Sequence, residues 1–234
     1  MRPQNQQARD RFGTILSRQA PATAASLASA LDVSVSSIHR IAREHKNVIQ
    51  QGITKNTKYA LRRPLRGQMQ AIPIYSINTA GQGHHLGNLE LIAPQGALLA
   101  LEKIGWPSDK KHQGWWSGLP YPMYDMRPQG FLGRNFAHTI SQDFAVSSNP
   151  DKWSDDDISY VLNLRGIDSP GNLIIGNTAY NRWLASKNTA HPELSNDALM
   201  NAYPTLAQQA INLSLIHISE PTRLWSGSRM PSSA

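Results

Sequence analysis

Cysteine is absent from the 234 residues. That excludes disulfides, thiolate catalysis and Cys-ligated zinc. No apolar run reaches the roughly 18 residues that a membrane-spanning helix requires. The N-terminal MRPQNQQARDRFG is polar and charged, where a secretory signal would be apolar. These absences lead to the expectation of a cytoplasmic protein with no membrane partner. Acidic residues are scarce in one part only. Residues 1–67 hold 12 Lys and Arg against 3 Asp and Glu, whereas residues 68–234 hold 11 against 13. The net charge of +7 is therefore carried by the first 67 residues. A compact basic segment is the electrostatic footprint of a nucleic-acid binder, because phosphate contacts release counterions; the plainer reading is a solvated basic face. What is present is apolar content of 40% and six Trp, which is enough for real cores.

The stretch FGTILSRQAPATAASLASALDVSVSSIHRIAREH has the pattern of three helices. Phe12, Ile15 and Leu16 share a face of the first, and Gln19-Ala20-Pro21-Ala22 ends it. Thr23 suits the N-cap of a second helix with Leu27 and Leu31 inward, and small Ala28 lets the next helix approach. After the turn Asp32-Val33-Ser34, Ser34 caps a third helix in which Val35, Ile38 and Ile41 are expected to face the core. Two helices joined by so short a turn make a helix-turn-helix. The outward residues Ser36, Ser37, His39, Arg40 and Arg43, with Ser34, are hydrogen-bonding and cationic types suited to groove and phosphate contacts. In NVIQQGITKNTKYALRR, Val48 and Ile49 start a strand, Lys55-Asn56 turns, and Tyr59 and Leu61 return. This predicts a β-hairpin wing carrying Lys55, Lys58, Arg62 and Arg63. The segment resembles the winged domains of bacterial regulators, and a winged helix-turn-helix over residues 12–67 binding duplex DNA is the expectation. A winged helix used for protein contact alone is the alternative.

Pro64 and Gly67 mark a linker. Beyond it AIPIYSINT and HLGNLELIA alternate as strands around AGQGH, and QGALLALEK continues the pattern. Gly81, Gly83 and Gly87 lack the Gly-Lys-Ser/Thr ending of a phosphate loop and read as turn residues with positive φ. His84 and His85 are adjacent on a strand, so they point to opposite faces and do not share a metal. In WSDDDISYVLNLRGIDSPGNLIIG, Ser154 caps a helix whose first turn holds Asp155, Asp156 and Asp157, favourable at its positive end. Ile158, Val161, Leu162 and Leu164 are its core face, and NLIIG is a buried strand. A preceding helix starts at Phe131, Leu132 and Phe136, with Arg134 and His138 on its polar side. The whole is an α+β chain.

The order of a β-rich start, then GLPYPMYDMRPQGFLGRNFA, then WSDDDISYVLNLRGIDSPGNLIIG resembles the N-terminal region of HipA-like serine/threonine kinases, the toxins of bacterial toxin–antitoxin systems. The resemblance implies a β-rich domain over residues 68–176 and the helical start of a kinase region over residues 177–212. The motif residues it singles out are Pro128, Gly130 and Arg134 at a helix start, and Gly166, Asp168 and Gly171 at a turn into a strand. It implies ATP and Mg²⁺ for an intact parent, and an antitoxin or a protein substrate as partner. The winged helix in front matches a subgroup with DNA binding on the kinase chain. The family's ATP loop and catalytic Asp and Asn have no counterpart here: no Lys follows Lys187 and no Asp follows Asp197. No catalytic or metal residue is therefore carried over, and no cofactor is expected on these residues. SLIHISEPTR resembles a translated sequencing adapter, so residues 213–234 are expected to be an artefactual tail, with a disordered tail or partner peptide as alternatives. The functional expectation is a truncated toxin kinase with a fused DNA-binding domain; the alternative is a transcriptional regulator whose second domain senses a ligand or partner.

Overall fold

The computed structural model describes residues 6–53, 56–100, 113–188 and 196–219. It is an α+β structure. Its first part strings α1 (Gln6–Gln19), β1 (Ala22–Thr23), α2 (Ala24–Leu31), α3 (Val35–Glu44), β2 (Val48–Gln51) and β3 (Lys58–Leu61). The Thr23 side chain accepts from the Ser26 N–H and caps α2, and Ser34 accepts from Ser37 N–H and caps α3, as their spacing predicts. Asp32 sits at φ 53°, so the chain turns left-handedly between them and Val33 N–H closes onto the Ala28 carbonyl at 3.1 Å. Phe12, Leu16, Leu27, Leu31, Ile38, Ile41 and Tyr59 form one core. Val35 departs from the expectation: it is 43% exposed, and half-buried Val33 packs on the core instead. The strands form an antiparallel sheet in the order β1-β3-β2, with Gln50 opposite Tyr59 and Ala22 on its other side.

The second part is built on an antiparallel sheet, order β7-β6-β5-β4-β8, of β4 (Ile72–Ile77), β5 (Gly83–Leu91), β6 (Ala97–Leu98), β7 (Trp115–Trp116) and β8 (Leu173–Ile175). Helices α4 (Tyr121–Asp125), α5 (Gly130–Phe144), α6 (Asp155–Arg165) and α7 (Asn177–Asn188) accompany it. Ile72, Ile74, Leu89 and Leu91 from the sheet meet Ala137, Ile140, Ile158, Val161 and Leu162 from α5 and α6 in a second core. Leu164, expected on that face, is only half-buried. Of the three expected turn glycines only Gly81 has positive φ (+68°). Gly83 and Gly87 lie inside β5. A Cβ on Gly83 would come within 2.5 Å of the Tyr180 hydroxyl, so its bareness seats an aromatic ring. That ring stacks on Tyr75 with centroids 3.9 Å apart, which fastens α7 to β4. The compact unit ends at Asn188. Helix α8 (Asn196–Ser219) belongs to a separate unit and crosses the expected boundary near Asn212 without a break; residues 220–234 of the expected tail lie outside the described residues.

The stretch read as a linker is a seam. Arg63 N–H donates to the Leu91 carbonyl and Ala93 N–H to the Leu61 carbonyl, so β3 runs directly onto the end of β5. Ala60, Ile92 and Trp115 bury together across the junction. The side chains follow suit. Arg62 grips both Glu90 oxygens at 2.7 and 2.9 Å. Arg63 reaches Asp156 at 2.5 Å, and Arg66 meets Asp157 at 2.7 Å, the Phe144 carbonyl at 2.6 Å and the Tyr160 ring face at 4.3 Å. Two of the three aspartates expected as a solvated helix start are thus the anchors of distant arginines, and Asp155 accepts from the Tyr124 hydroxyl.

Asp157 also completes a capping box with Ser154. Burial pushes its carboxyl up, but the hydrogen bonds from Ser154 and the Arg66 guanidinium outweigh this and hold it below the ordinary 3.8. A carboxylate depressed in the folded state stabilises fully above its unfolded value and loses that contribution as pH falls through the folded value. Asp157→Ala should therefore cost about 1–2 kcal/mol in urea denaturation at pH 7, and the gap from wild type should narrow below about pH 4. Replacing Arg63 and Arg66 together by Ala should expose residues 62–70 to limited proteolysis while far-ultraviolet dichroism is retained. An unchanged digestion rate would mean the arginines do not hold the seam.

Candidate nucleic-acid interface

Helix α3 lies with Ile38, Ile41 and Ala42 in the core, which turns the intervening residues outward. His39, Arg40 and Arg43 are exposed, as are Ser34, Val35 and Ser36, and Ser37 is half-buried. Ser34 is occupied as the cap, and its hydroxyl lies 2.9 Å from the hydroxyls of both Ser36 and Ser37. The three serines form one local network at the start of α3. Arg9 on α1 pairs with Glu44 at 2.7 Å and neutralises the acid at the far end of α3. The exposed length of the helix is thereby left hydroxylic at one end and cationic at the other.

A groove of about 640 Å³ runs between α3 and the β2–β3 hairpin, lined by Val35, His39 and Arg43 from the helix and Gln50, Gln51 and Thr57 from the hairpin. His39 Nδ1 and the Tyr59 hydroxyl are 2.8 Å apart, which ties the helix to β3. Burial raises the Tyr59 phenol above its ordinary 10, and the nearby Arg43 charge opposes that only in part. The phenol therefore stays protonated at neutral pH. Lys58 is half-buried on β3, and Lys55 lies outside the described residues. Arg62 and Arg63, expected on the wing, do not line this groove, and their guanidinium groups pair with Glu90 and Asp156. The sequence offered no signal for this, because the partners are 28 and 93 residues away.

The motif residues of the second part gather elsewhere. Pro128, Gly166 and Asp168 line a cavity of about 460 Å³ with Leu132, Phe136, Val161 and Leu162 as apolar walls and Arg127 and Arg165 as cationic ones. Gly130 begins α5 at φ +65°, and Arg134, one turn on, is half-buried. Gly171 lies in the turn before β8 and borders a different hollow. Sequence reading missed Gly133. A Cβ there would stand 2.5 Å from the Pro128 carbonyl carbon, so the glycine allows the Pro128 turn to lie on α5. Among the described residues no three His, Cys, Asp or Glu side chains are grouped to hold a metal, and no described helix is long and apolar enough to cross a membrane.

Comparison with known proteins gives a family. Toxin YjjJ of Escherichia coli (strain K12) is 30% identical over 198 residues, which cover 85% of this chain and 43% of the relative. The chain thus spans less than half of that relative's length. No solved structure matches. The model of the YjjJ-like toxin middle domain matches residues 68–184, the five-stranded sheet with α4 to α7, and by that match the chain belongs to the YjjJ-like toxin family.

Proposed function

We propose that residues 6–61 form a winged helix-turn-helix that binds duplex DNA, with α3 in the major groove and the β2–β3 hairpin as the wing. The observation that carries this reading is the pair of helices α2 and α3, joined by a left-handed turn at Asp32, with Arg40 and Arg43 exposed on the second. The excess of basic residues over the first 67 positions supplies the field that favours phosphate. The middle domain is carried with it as part of a toxin, and in this reading the longer toxins are HipA-like serine/threonine kinases that use ATP and Mg²⁺ on a protein substrate and are restrained by an antitoxin. In this reading no residue of this chain is assigned to that chemistry. A cytoplasmic setting follows from DNA as the partner.

A second reading is favoured by the cavity. Its walls include Val161, Leu162 and Arg165 of α6, and the other end of α6 holds Arg63 and Arg66 at the seam. In this reading the chain is a regulator, and a small ligand or partner in the cavity is communicated through α6 to the DNA-binding part.

Fluorescence anisotropy with a mixed-sequence duplex tests the first reading. The full chain should bind at 50 mM salt, and the logarithm of affinity should fall linearly with the logarithm of salt. Arg40→Ala with Arg43→Ala should weaken binding about tenfold or more and flatten the salt slope by about one for each phosphate that the variant no longer reaches. Arg62→Ala should leave the affinity unchanged. No binding at low salt, or full binding by the double variant, would remove α3 from the role.

A further inference from the structure

Val35 is the one core expectation on α3 that the fold refuses. Three residues before Ile38, it has the spacing of a core position, yet Ile38 is fully buried and Val35 is 43% exposed. The reason is local. Val33, in the preceding turn, packs on the core, and Val35 is the first residue of α3. It lines the groove beside His39 and Arg43 of its own helix, with Ala24 and Ala25 of α2 on one side and Gln50, Gln51 and Thr57 of the hairpin on the other. An exposed aliphatic side chain thus stands beside His39 and Arg43, on the turn that in a docked helix-turn-helix lies nearest the base edges.

We infer that Val35 is a specificity-determining residue that reads the 5-methyl group of a thymine. This rests on the DNA-binding reading above. In the major groove the thymine methyl is the one apolar feature a base pair presents, and the other edge groups are donors and acceptors. The three serine hydroxyls and the guanidinium groups of Arg40 and Arg43 can satisfy polar edges and phosphates, but none gains from a methyl group. Val35 does, because two branched methyls against a third remove apolar surface from water on both sides. β-Branching fixes the side chain at χ1, so the methyl face is presented with little loss of rotamer freedom. The remainder of the exposed face carries charge and hydrogen bonding, so discrimination by Val35 is separable from overall affinity.

The test uses the full chain. Duplexes that bind are selected from a randomised pool, and each thymine of the best site is then replaced in turn by deoxyuridine, which lacks only the methyl. At one thymine the replacement should weaken wild-type binding about three- to fivefold, the value of one buried methyl. The same replacement should leave Val35→Ala unaffected, and 5-methylcytosine should recover part of the preference over cytosine at that position. Val35→Ala should keep the circular dichroism spectrum and the salt slope of wild type, since an exposed side chain is removed and the cations that meet phosphate all remain. DNA binding with equal tolerance of deoxyuridine by both proteins, or selection without any sequence preference, would overturn the role of Val35 and leave DNA binding standing. Failure of the wild-type chain to bind any duplex at 50 mM salt would overturn both.

Discussion

The junction between β3 and the end of β5 is the constraint on which the rest depends. Without it the basic helical part and the sheet-based part would be two bodies on a tether. Its components differ in worth. The ion pairs are half-exposed, and pairs of that kind contribute at most about 1 kcal/mol each. Burying Ile92 and the larger Trp115 contributes about 1.5–3 kcal/mol or more per side chain. Trp115 Nε1 finds no acceptor among the described residues, which takes back about 1–3 kcal/mol. The hydrophobic contact and the two backbone hydrogen bonds across the junction therefore make the joint, and the arginines set its orientation. Arg62 illustrates this, since its bidentate grip on Glu90 fixes an angle as well as a distance.

That division of labour bears on the exposed face of α3. Three arginines that composition counts toward a basic patch are consumed in positioning: Arg62, Arg63 and Arg66 all have carboxylate partners. Arg40 and Arg43 on α3 remain exposed, as do Arg11 and Arg18 on α1 and Lys46 after α3. The helix is held from both sides, by Arg9 at Glu44 and by Tyr59 at His39, so its exposed face is presented at a fixed angle to the hairpin. Net charge set the expectation of where a polyanion would be attracted. Pairing decides which cations are available to meet it.

Much of the first part was legible in the sequence because its signals are short-range. Thr23 and Ser34 cap helices whose first turns lie within three residues, and the Phe12, Leu16, Leu27 and Leu31 spacings need no knowledge of the rest of the chain. Periodicity failed at Val35, because counting residues along a helix cannot tell that a turn residue has already filled the space. It failed for Gly83 and Gly133 in a related way. Both were invisible as packing positions because the ring of Tyr180 and the backbone of Pro128 that occupy their missing side chains arrive from elsewhere in the chain. The cavity was half legible: Pro128, Gly166 and Asp168 were singled out together, but Arg127 and Arg165 were not, since isolated arginines carry no pattern.

Helix α6 connects these observations. Its first turn receives Arg63 and Arg66, and its last two turns supply Val161, Leu162 and Arg165 to the cavity wall. A helix of 11 residues is about 16 Å long and moves as a rod, because its backbone hydrogen bonds do not stretch. Any occupant of the cavity that shifts α6 must therefore act on the arginine pairs before it acts on Ile92 and Trp115, which lie outside the helix. Two of the weak members of the joint, the Arg63 and Arg66 pairs, are thus the ones coupled to the cavity, and the strong members are not. Such an arrangement lets the orientation of the helical first part respond without separating the two cores, provided that the occupant binds the two arrangements with different affinity.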